Sequence, residues 1–133
     1  MPQKQEFLLA GLAPPISHCC DAVRWGDVLF ISGMAPVDAK GKVVSEDVAA
    51  QTRQVFENLK AALDAAGATF ADILKVTVYL TDVDDRTKIN PVRQQYFGAA
   101  RPASTLIGVK ALAIPGMKVE IEAVVGLRSA ARP

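Results

Sequence analysis

The sequence predicts an α+β fold, in which two helices pack on one face of a single mixed sheet. Two segments with apolar residues at helical spacing lie among segments in which apolar and polar residues alternate. The chain has 133 residues, which suits one domain covering 1–133. Half of the residues are hydrophobic, enough to form a core without disulfide bonds.

The first predicted elements are two strands joined by a tight turn. Residues 21–25 and the apolar run 28–33 are separated by a Gly-Asp pair, which is typical of turns, so we expect a hairpin. A second turn is expected at 36–41, before a third, short strand at 42–44.

The first helix is predicted to begin after Ser45, a good N-cap residue, and to run for about twenty residues until Gly67 ends it. Apolar positions recur every three or four residues and form the buried face: Thr52, Val55, Phe56, Leu59, Ala62, Leu63 and Ala66. The polar residues are predicted to lie mostly on the outer face: Gln51, Arg53, Gln54, Glu57, Asn58, Lys60 and Asp64.

The second half of the chain contains one helical turn and four longer elements. In order, they are a helical turn at 69–72, a strand at 75–81, a helix at 87–97, and strands at 104–109 and 118–125. Pro91 is expected in the first turn of its helix, where the missing N–H is tolerated.

One face of this sheet would not be covered by the helices. In the last strand, Glu120 and Glu122 point to the face opposite Val119 and Ile121. The preceding strand adds polar side chains to the glutamate face: Lys75, Thr77, Tyr79 and Thr81. A face of this mixed character is either solvated or packed against a second copy of the chain.

The composition argues against several classes of function. The 15 basic and 14 acidic residues give a net charge of +1, and the basic residues are scattered, so no nucleic-acid partner is expected. There is no apolar run of roughly 20 residues and no signal-peptide pattern at the start, so we expect no membrane association and a cytoplasmic location. No zinc or calcium motif is present, so no metal is expected. Residues 128–133 are predicted to form a frayed tail.

Two glutamates of the last strand are the first candidates for chemistry. Because Glu120 and Glu122 are two residues apart on a strand, their carboxylates share one face. Paired carboxylates can divide acid and base roles, although solvated or salt-bridged glutamates give the same pattern. His18, the only histidine, is the residue type that most readily exchanges protons near neutral pH, but it can also be an ordinary surface residue.

Arginine and hydroxyl side chains lie near two strand ends. Arg101 precedes Ser104 and Thr105 at the start of one strand, and its guanidinium could bind a carboxylate or belong to an ordinary loop. The Ser32-Gly33 pair ends the central strand, as a site element or a plain strand end.

Three further residues have both a functional and a structural interpretation. Asn90 precedes a proline and is either a site residue or a helix cap. Cys19 and Cys20 are adjacent, so a disulfide between them is not expected. Either thiol could be a nucleophile, but buried structural thiols are the expectation, because nothing nearby would activate them.

Six segments together resemble the Rid/YjgF family, the reactive intermediate deaminases once described as L-PSP endoribonucleases. The resemblance extends roughly from residue 17 to 125, and the segments are specific in combination. They are GDVLFISG at 26–33, QTRQVFENL at 51–59, KVTVYLTD at 75–82, INPV at 89–92, RPAST at 101–105 and VEIEA at 119–123.

The resemblance implies a chorismate-mutase-like fold and a homotrimer whose sheets form a central barrel. Small-molecule ligands would bind in three clefts between neighbouring subunits. The implied chemistry is hydrolysis of enamines and imines to 2-keto acids and ammonia, without a cofactor.

By the same resemblance, Glu120 orients the attacking water and Ser32 and Asn90 complete the cleft. Two positions depart from the family pattern, since Ser104 stands where the family has a carboxylate-binding arginine and His18 stands where it has a tyrosine. Arg101 lies three residues before Ser104 and is a candidate to compensate. We therefore expect a hydrolase with an altered substrate. A non-catalytic metabolite-binding trimer and a ribonuclease are the alternatives.

Overall fold

The computed structural model describes residues 1–128, and the predicted frayed tail at 129–133 lies outside the described residues. The elements in chain order are β1 Lys4–Phe7, β2 Ala22–Trp25, β3 Val28–Met34, α1 Val48–Ala65, β4 Ile73–Leu80, α2 Arg86–Phe97, β5 Ala103–Gly108 and β6 Val119–Gly126. Single 3₁₀ turns at Phe70–Asp72 and Val83–Asp85 precede β4 and α2.

The six strands form one mixed sheet in the order β1-β2-β3-β6-β4-β5. Its pairs are antiparallel except β4 and β5, which run parallel. Alternate residues of β4 and β6 are buried with the apolar side chains of α1 and α2, among them Val78, Ile121, Phe56 and Ile89. The predicted α+β architecture, a single mixed sheet with two helices, is therefore confirmed.

The hairpin of β2 and β3 forms as predicted, with Gly26 at a φ of 59° in its turn. One expectation was wrong, and one strand was not predicted. The predicted strand at 42–44 is reduced to a single bridge between Val37 and Val43. Strand β1 was not predicted, because its residues Lys-Gln-Glu-Phe do not alternate between apolar and polar and all lie at the exposed sheet edge.

Helix α1 begins two residues later than predicted. Asp47, rather than Ser45, is the N-cap, because its carboxylate accepts a hydrogen bond from the Ala50 N–H at 2.9 Å. The Ser45 hydroxyl instead accepts from the Asp47 N–H. Gly67, at a φ of 70°, follows the helix and ends it as expected.

Two of the α1 residues that were predicted to face solvent, Gln51 and Asn58, are buried. Gln51 is fully buried and bonds three backbone groups: its amide donates to the carbonyls of Ser45 and Gly116, and its carbonyl accepts from the Lys118 N–H. Asn58 donates to the carbonyls of Ala35 and Val37. Both side chains satisfy loop backbone that has no partner strand, a role that helical periodicity does not reveal.

Helix α2 also differs from the prediction. Pro91 is the sixth residue of α2 and not part of its first turn, because the helix starts at Arg86, directly after a 3₁₀ turn. Proline is accommodated there because its ring is exposed, so water can reach the carbonyl left without a donor. Asn90 lies inside the helix and does not cap it. Within 1–128, no helix is long and apolar enough to cross a membrane.

Candidate functional site

The described chain contains a cleft of about 410 Å³, which we call the glutamate cleft. It lies between the segment 12–21, the end of β3, the segment 113–117 and β6. Most of its wall is apolar, and its polar side chains are few. The residues used below are Cys20, Ser32, Gly33, Glu120 and Glu122. A mostly apolar recess with a few convergent polar groups is typical of a small-molecule site.

Glu120 lies directly against Gly33. The β3–β6 ladder shifts register between Ile31 and Met34, and this bulge brings the Gly33 backbone to the Glu120 side chain. A Cβ atom at position 33 would lie 2.9 Å from both Cδ and Oε2 of Glu120. Glycine is therefore required here for the carboxylate to keep its place in the cleft.

The Glu120 carboxylate is only half-buried, yet its pKa lies above the ordinary glutamate value. Burial is the main cause, and the negative charge of Glu122 adds to it. A raised pKa makes the carboxylate a better proton acceptor than a solvated glutamate. Glu122 itself is exposed and accepts a 3.2 Å hydrogen bond from the Tyr79 hydroxyl. Burial and the Glu122 charge raise the pKa of Tyr79, which therefore keeps its proton and remains a donor.

Ser32 precedes Gly33 in the bulge and is half-buried. Its hydroxyl donates a 2.7 Å hydrogen bond to the Cys20 carbonyl, and its N–H donates to the Asp21 carbonyl. The hydroxyl proton is thus engaged, while the oxygen can still accept a bond from a ligand. The wall behind Ser32 is fixed by Asp21, which accepts from the Leu9 N–H at 2.7 Å.

The expectation of buried cysteine thiols was wrong. Cys19 is exposed and Cys20 is half-buried, with its Sγ 3.4 Å from the Ala22 carbonyl, and both line the glutamate cleft. The cause is that 12–21 forms an open loop over the cleft rather than a core strand. His18 is exposed and is not a lining residue of the cleft, although its neighbours Ser17 and Cys19 are.

A second group of candidate residues lies around α2 and the start of β5. Asn90 and Arg101 line a recess of about 300 Å³ between α2 and the chain entering β5, together with Arg93, Phe97 and Pro102. We call this recess the arginine pocket. Ser104 is exposed on β5 and accepts a 3.0 Å hydrogen bond from Nη2 of Arg93. Thr105 points to the opposite face, where its hydroxyl accepts from the Lys75 ammonium.

The structure thus divides the predicted site residues into two sets. Ser32, Gly33 and Glu120 meet in the glutamate cleft, whereas Asn90 and Arg101 line the arginine pocket, and Ser104 contacts Arg93 of that pocket. Within one chain the two sets are separate. Arg93 was not among the predicted site residues, although it lies three residues after Asn90 on a helix, which places both on one face. In residues 1–128, no group of three or more His, Cys, Asp or Glu side chains is placed to hold a metal ion.

Comparison with known proteins shows which proteins this chain is similar to. A family model described as Endoribonuclease L-PSP matches residues 11–127. A RutC family protein of Pyrococcus horikoshii is 43% identical over 122 residues, which cover 90% of this chain and 96% of that protein. The 2-iminobutanoate/2-iminopropanoate deaminase of Salmonella typhimurium is 40% identical over 105 residues, covering 77% of this chain and 81% of that protein.

Solved structures of the same family are also similar to this chain. A member of the conserved Rid protein family from Yersinia pestis superposes with a TM-score of 0.89 at 31% identity, covering 94% of this chain and all of that one. The YjgF gene product of E. coli superposes with a TM-score of 0.84 at 32% identity, covering 93% and 99%. Fold and cleft thus define a Rid-type α+β protein. The chain belongs to the Rid/YjgF family, so the family predicted from the sequence is confirmed.

Proposed function

We propose that the protein is a Rid-type hydrolase that converts a small enamine or imine metabolite into the corresponding carbonyl compound and ammonia. The observation that carries the proposal is the Glu120 carboxylate, held against Gly33 in an apolar cleft with a raised pKa. The 40% identity to a protein named as an imine deaminase supports the same reaction class.

The cleft supplies the groups that this hydrolysis needs. Water adds to the C=N carbon as Glu120 accepts one of its protons and passes it to the imine nitrogen, which gives a carbinolamine. Glu120 then moves the remaining hydroxyl proton to the nitrogen, the C–N bond breaks, ammonia leaves, and the oxygen of the water remains as the carbonyl. One positioned base is worth about 10²–10⁴-fold in rate.

The proposal includes a homotrimer with its sites between subunits. It is supported by the separation of the candidate residues, since Glu120 and Ser32 lie in the glutamate cleft while Asn90 and Arg101 line the arginine pocket. If the arginine pocket of one subunit abuts the glutamate cleft of its neighbour, the two sets form one site. This arrangement also covers apolar side chains on the open face of the sheet.

The substrate is proposed to differ from 2-aminoacrylate. Ser104 occupies the position at which the family resemblance implies an arginine, and a hydroxyl cannot supply its charge or its two parallel hydrogen bonds. A substrate of the same reaction class, held by other groups, fits this change.

The direct test follows ammonia release from an imino acid made in the assay. An amino acid oxidase acting on 2-aminobutanoate generates 2-iminobutanoate, and a panel of other amino acids varies the side chain. We expect acceleration over buffer for at least one imine, and a loss of about 10²–10⁴-fold in Glu120→Gln, which keeps the shape but not the base. Glu46→Gln, which changes an exposed glutamate outside the cleft, is the matched control. No acceleration across the panel, or full activity in Glu120→Gln, contradicts the proposal.

A second candidate function is a non-catalytic trimer that binds a small metabolite in the same clefts. The serine at position 104 favours it, because the family's substrate contact is absent there. A thermal-shift screen of small metabolites, followed by recovery of the bound compound, separates the two candidates. A tight ligand recovered unchanged supports the binding function, and one recovered as its deaminated product supports the hydrolase.

A further inference from the structure

We infer that Arg93 of α2 holds the carboxylate or other small anionic group of the ligand, in place of an arginine at position 104 of β5. This inference rests on the proposed function for the identity of the ligand, but not for the existence of the anion site.

The side chain at position 104 faces α2. Ser104 pairs with the buried Val76 of β4, and two residues later Leu106 packs against the core, so this side of β5 is the side covered by helices. Arg93 approaches from α2 and donates to the Ser104 hydroxyl at 3.0 Å. A guanidinium therefore reaches position 104 although the residue there is a serine.

Serine at position 104 is a suitable partner for Arg93. Its side chain is short, and its hydroxyl is an acceptor that fixes the orientation of the Arg93 guanidinium. The contact thus places a positive charge from the helix at the position where the family resemblance implies an arginine on the strand.

Arg93 has capacity left for a ligand. Its side chain is half-buried, and burial lowers its pKa, which shows that its charge has lost part of its hydration. Within residues 1–128 it forms no ion pair, and its one side-chain hydrogen bond goes to a neutral hydroxyl. Four of the five guanidinium N–H donors remain, enough for a bidentate contact with a carboxylate.

The surroundings of Arg93 fit a small carboxylate. The arginine pocket has a volume of about 300 Å³, and Arg101 and the Asn90 carboxamide also line it. No acidic residue lines it, so no carboxylate of the described chain competes for the site. Two guanidinium groups and an amide are donors that favour a compact anion over a neutral ligand.

The test measures binding of 2-oxobutanoate, the keto acid expected from 2-iminobutanoate, and of its uncharged methyl ester. Calorimetry or NMR titration is run on the full chain, with Arg93→Gln, Arg93→Lys and the exchange variant Arg93→Ala/Ser104→Arg. We expect Arg93→Gln to lose about 10–100-fold in affinity for the acid and little for the ester, because one charge-assisted contact is removed. Arg93→Lys should lose less, and the exchange variant should recover most of the affinity for the acid.

The outcomes separate this inference from the proposed function. Equal binding of the acid by wild type and Arg93→Gln overturns the inference, as does an equal loss for acid and ester, or no binding of the acid by wild type at millimolar concentration. If the wild type deaminates imines but the KM of Arg93→Gln is unchanged, the inference fails and the proposed function stands. If no imine is deaminated but Arg93 controls binding of the acid, the proposed function fails and the inference stands.

Discussion

At the scale of single residues, the contact between Gly33 and Glu120 leads to the first prediction. Gly33→Ala would place a Cβ atom 2.9 Å from the Glu120 carboxyl group, whose flexible side chain can move away. We expect the free energy of unfolding to change by less than about 1 kcal/mol, because the contact is with a mobile side-chain end. The rate of imine hydrolysis should fall by about 10²-fold, since the base is displaced by about 1 Å.

Urea unfolding and the ammonia assay measure the two effects of Gly33→Ala separately. Gly11→Ala is the matched control, because a Cβ there meets nothing within 4 Å and should change neither quantity. Full activity in Gly33→Ala would show that the position of the Glu120 carboxylate does not limit the reaction.

The neighbouring glutamate leads to a prediction about pH. Glu120 must be ionised to accept a proton, so the rate should rise with pH as Glu120 loses its proton, with a midpoint above the ordinary pKa of glutamate. Burial is the larger cause of the raised pKa and the Glu122 charge is the smaller one. Glu122→Gln removes that charge, lowers the pKa of Glu120, and should move the acidic limb of the pH–rate profile to lower pH.

In Glu122→Gln the amide oxygen can still accept from Tyr79, so the change is mainly one of charge. Profiles of kcat/KM against pH for this variant and for Glu46→Gln make the comparison, and the Glu46 variant should keep the wild-type limb. An unchanged or upward-shifted limb in Glu122→Gln would mean that Glu120 is not the titrating base.

At the scale of elements, Gln51 joins three parts of the fold. Its buried carboxamide bonds the Ser45 carbonyl before α1, the Gly116 carbonyl and the Lys118 N–H just before β6. Gln51→Leu keeps most of the volume but leaves these backbone groups without partners in a buried place. We expect a loss of about 2–4 kcal/mol in the free energy of unfolding, measured in urea. Gln95→Leu, on the exposed side of α2, should stay within about 0.5 kcal/mol.

The residue patterns predicted most of the helices and strands. They predicted few of the contacts that join these elements to one another. The alternation in β4 and β6 and the helical spacing in α1 were sufficient, because burial of one face determines both patterns. Strand β1 was not predicted, because an exposed edge strand needs no apolar residues. The roles of Gln51 and Asn58 could not be seen either, since their partners are loop carbonyls distant in sequence.

At the scale of the whole molecule, the candidate site was only partly predictable. The proximity of Glu120 to Ser32 and Gly33 follows from adjacent strands, and the family resemblance implied that Glu120 and Ser32 belong to one cleft. The contact between Arg93 and Ser104 depends on how α2 lies over β5, which no local pattern encodes. In the proposed trimer the glutamate cleft and the arginine pocket meet between two subunits, an arrangement that the residue pattern of one chain does not encode.

The last prediction concerns the proposed trimer. On the open face of the sheet, Trp25, Phe30 and Ile107 are large apolar side chains with 52%, 50% and 39% of their surfaces exposed. Exposed apolar groups on one sheet face are typical of a surface that packs against another subunit. Light scattering should therefore give three times the 14.1 kDa chain mass. Phe30→Glu should shift the mass to that of one chain, because a buried charge without a partner is strongly unfavourable.

Val44→Glu is the matched control for this experiment. Val44 is 40% exposed but lies in the loop before α1 and belongs to no strand of the sheet, so this variant should keep the wild-type mass. Because each proposed site combines the glutamate cleft of one subunit with the arginine pocket of the next, Phe30→Glu should also lose imine hydrolysis while Val44→Glu retains it. A wild-type mass of one chain, or a monomeric Phe30→Glu variant with full activity, would place the whole site within a single subunit and contradict the trimer.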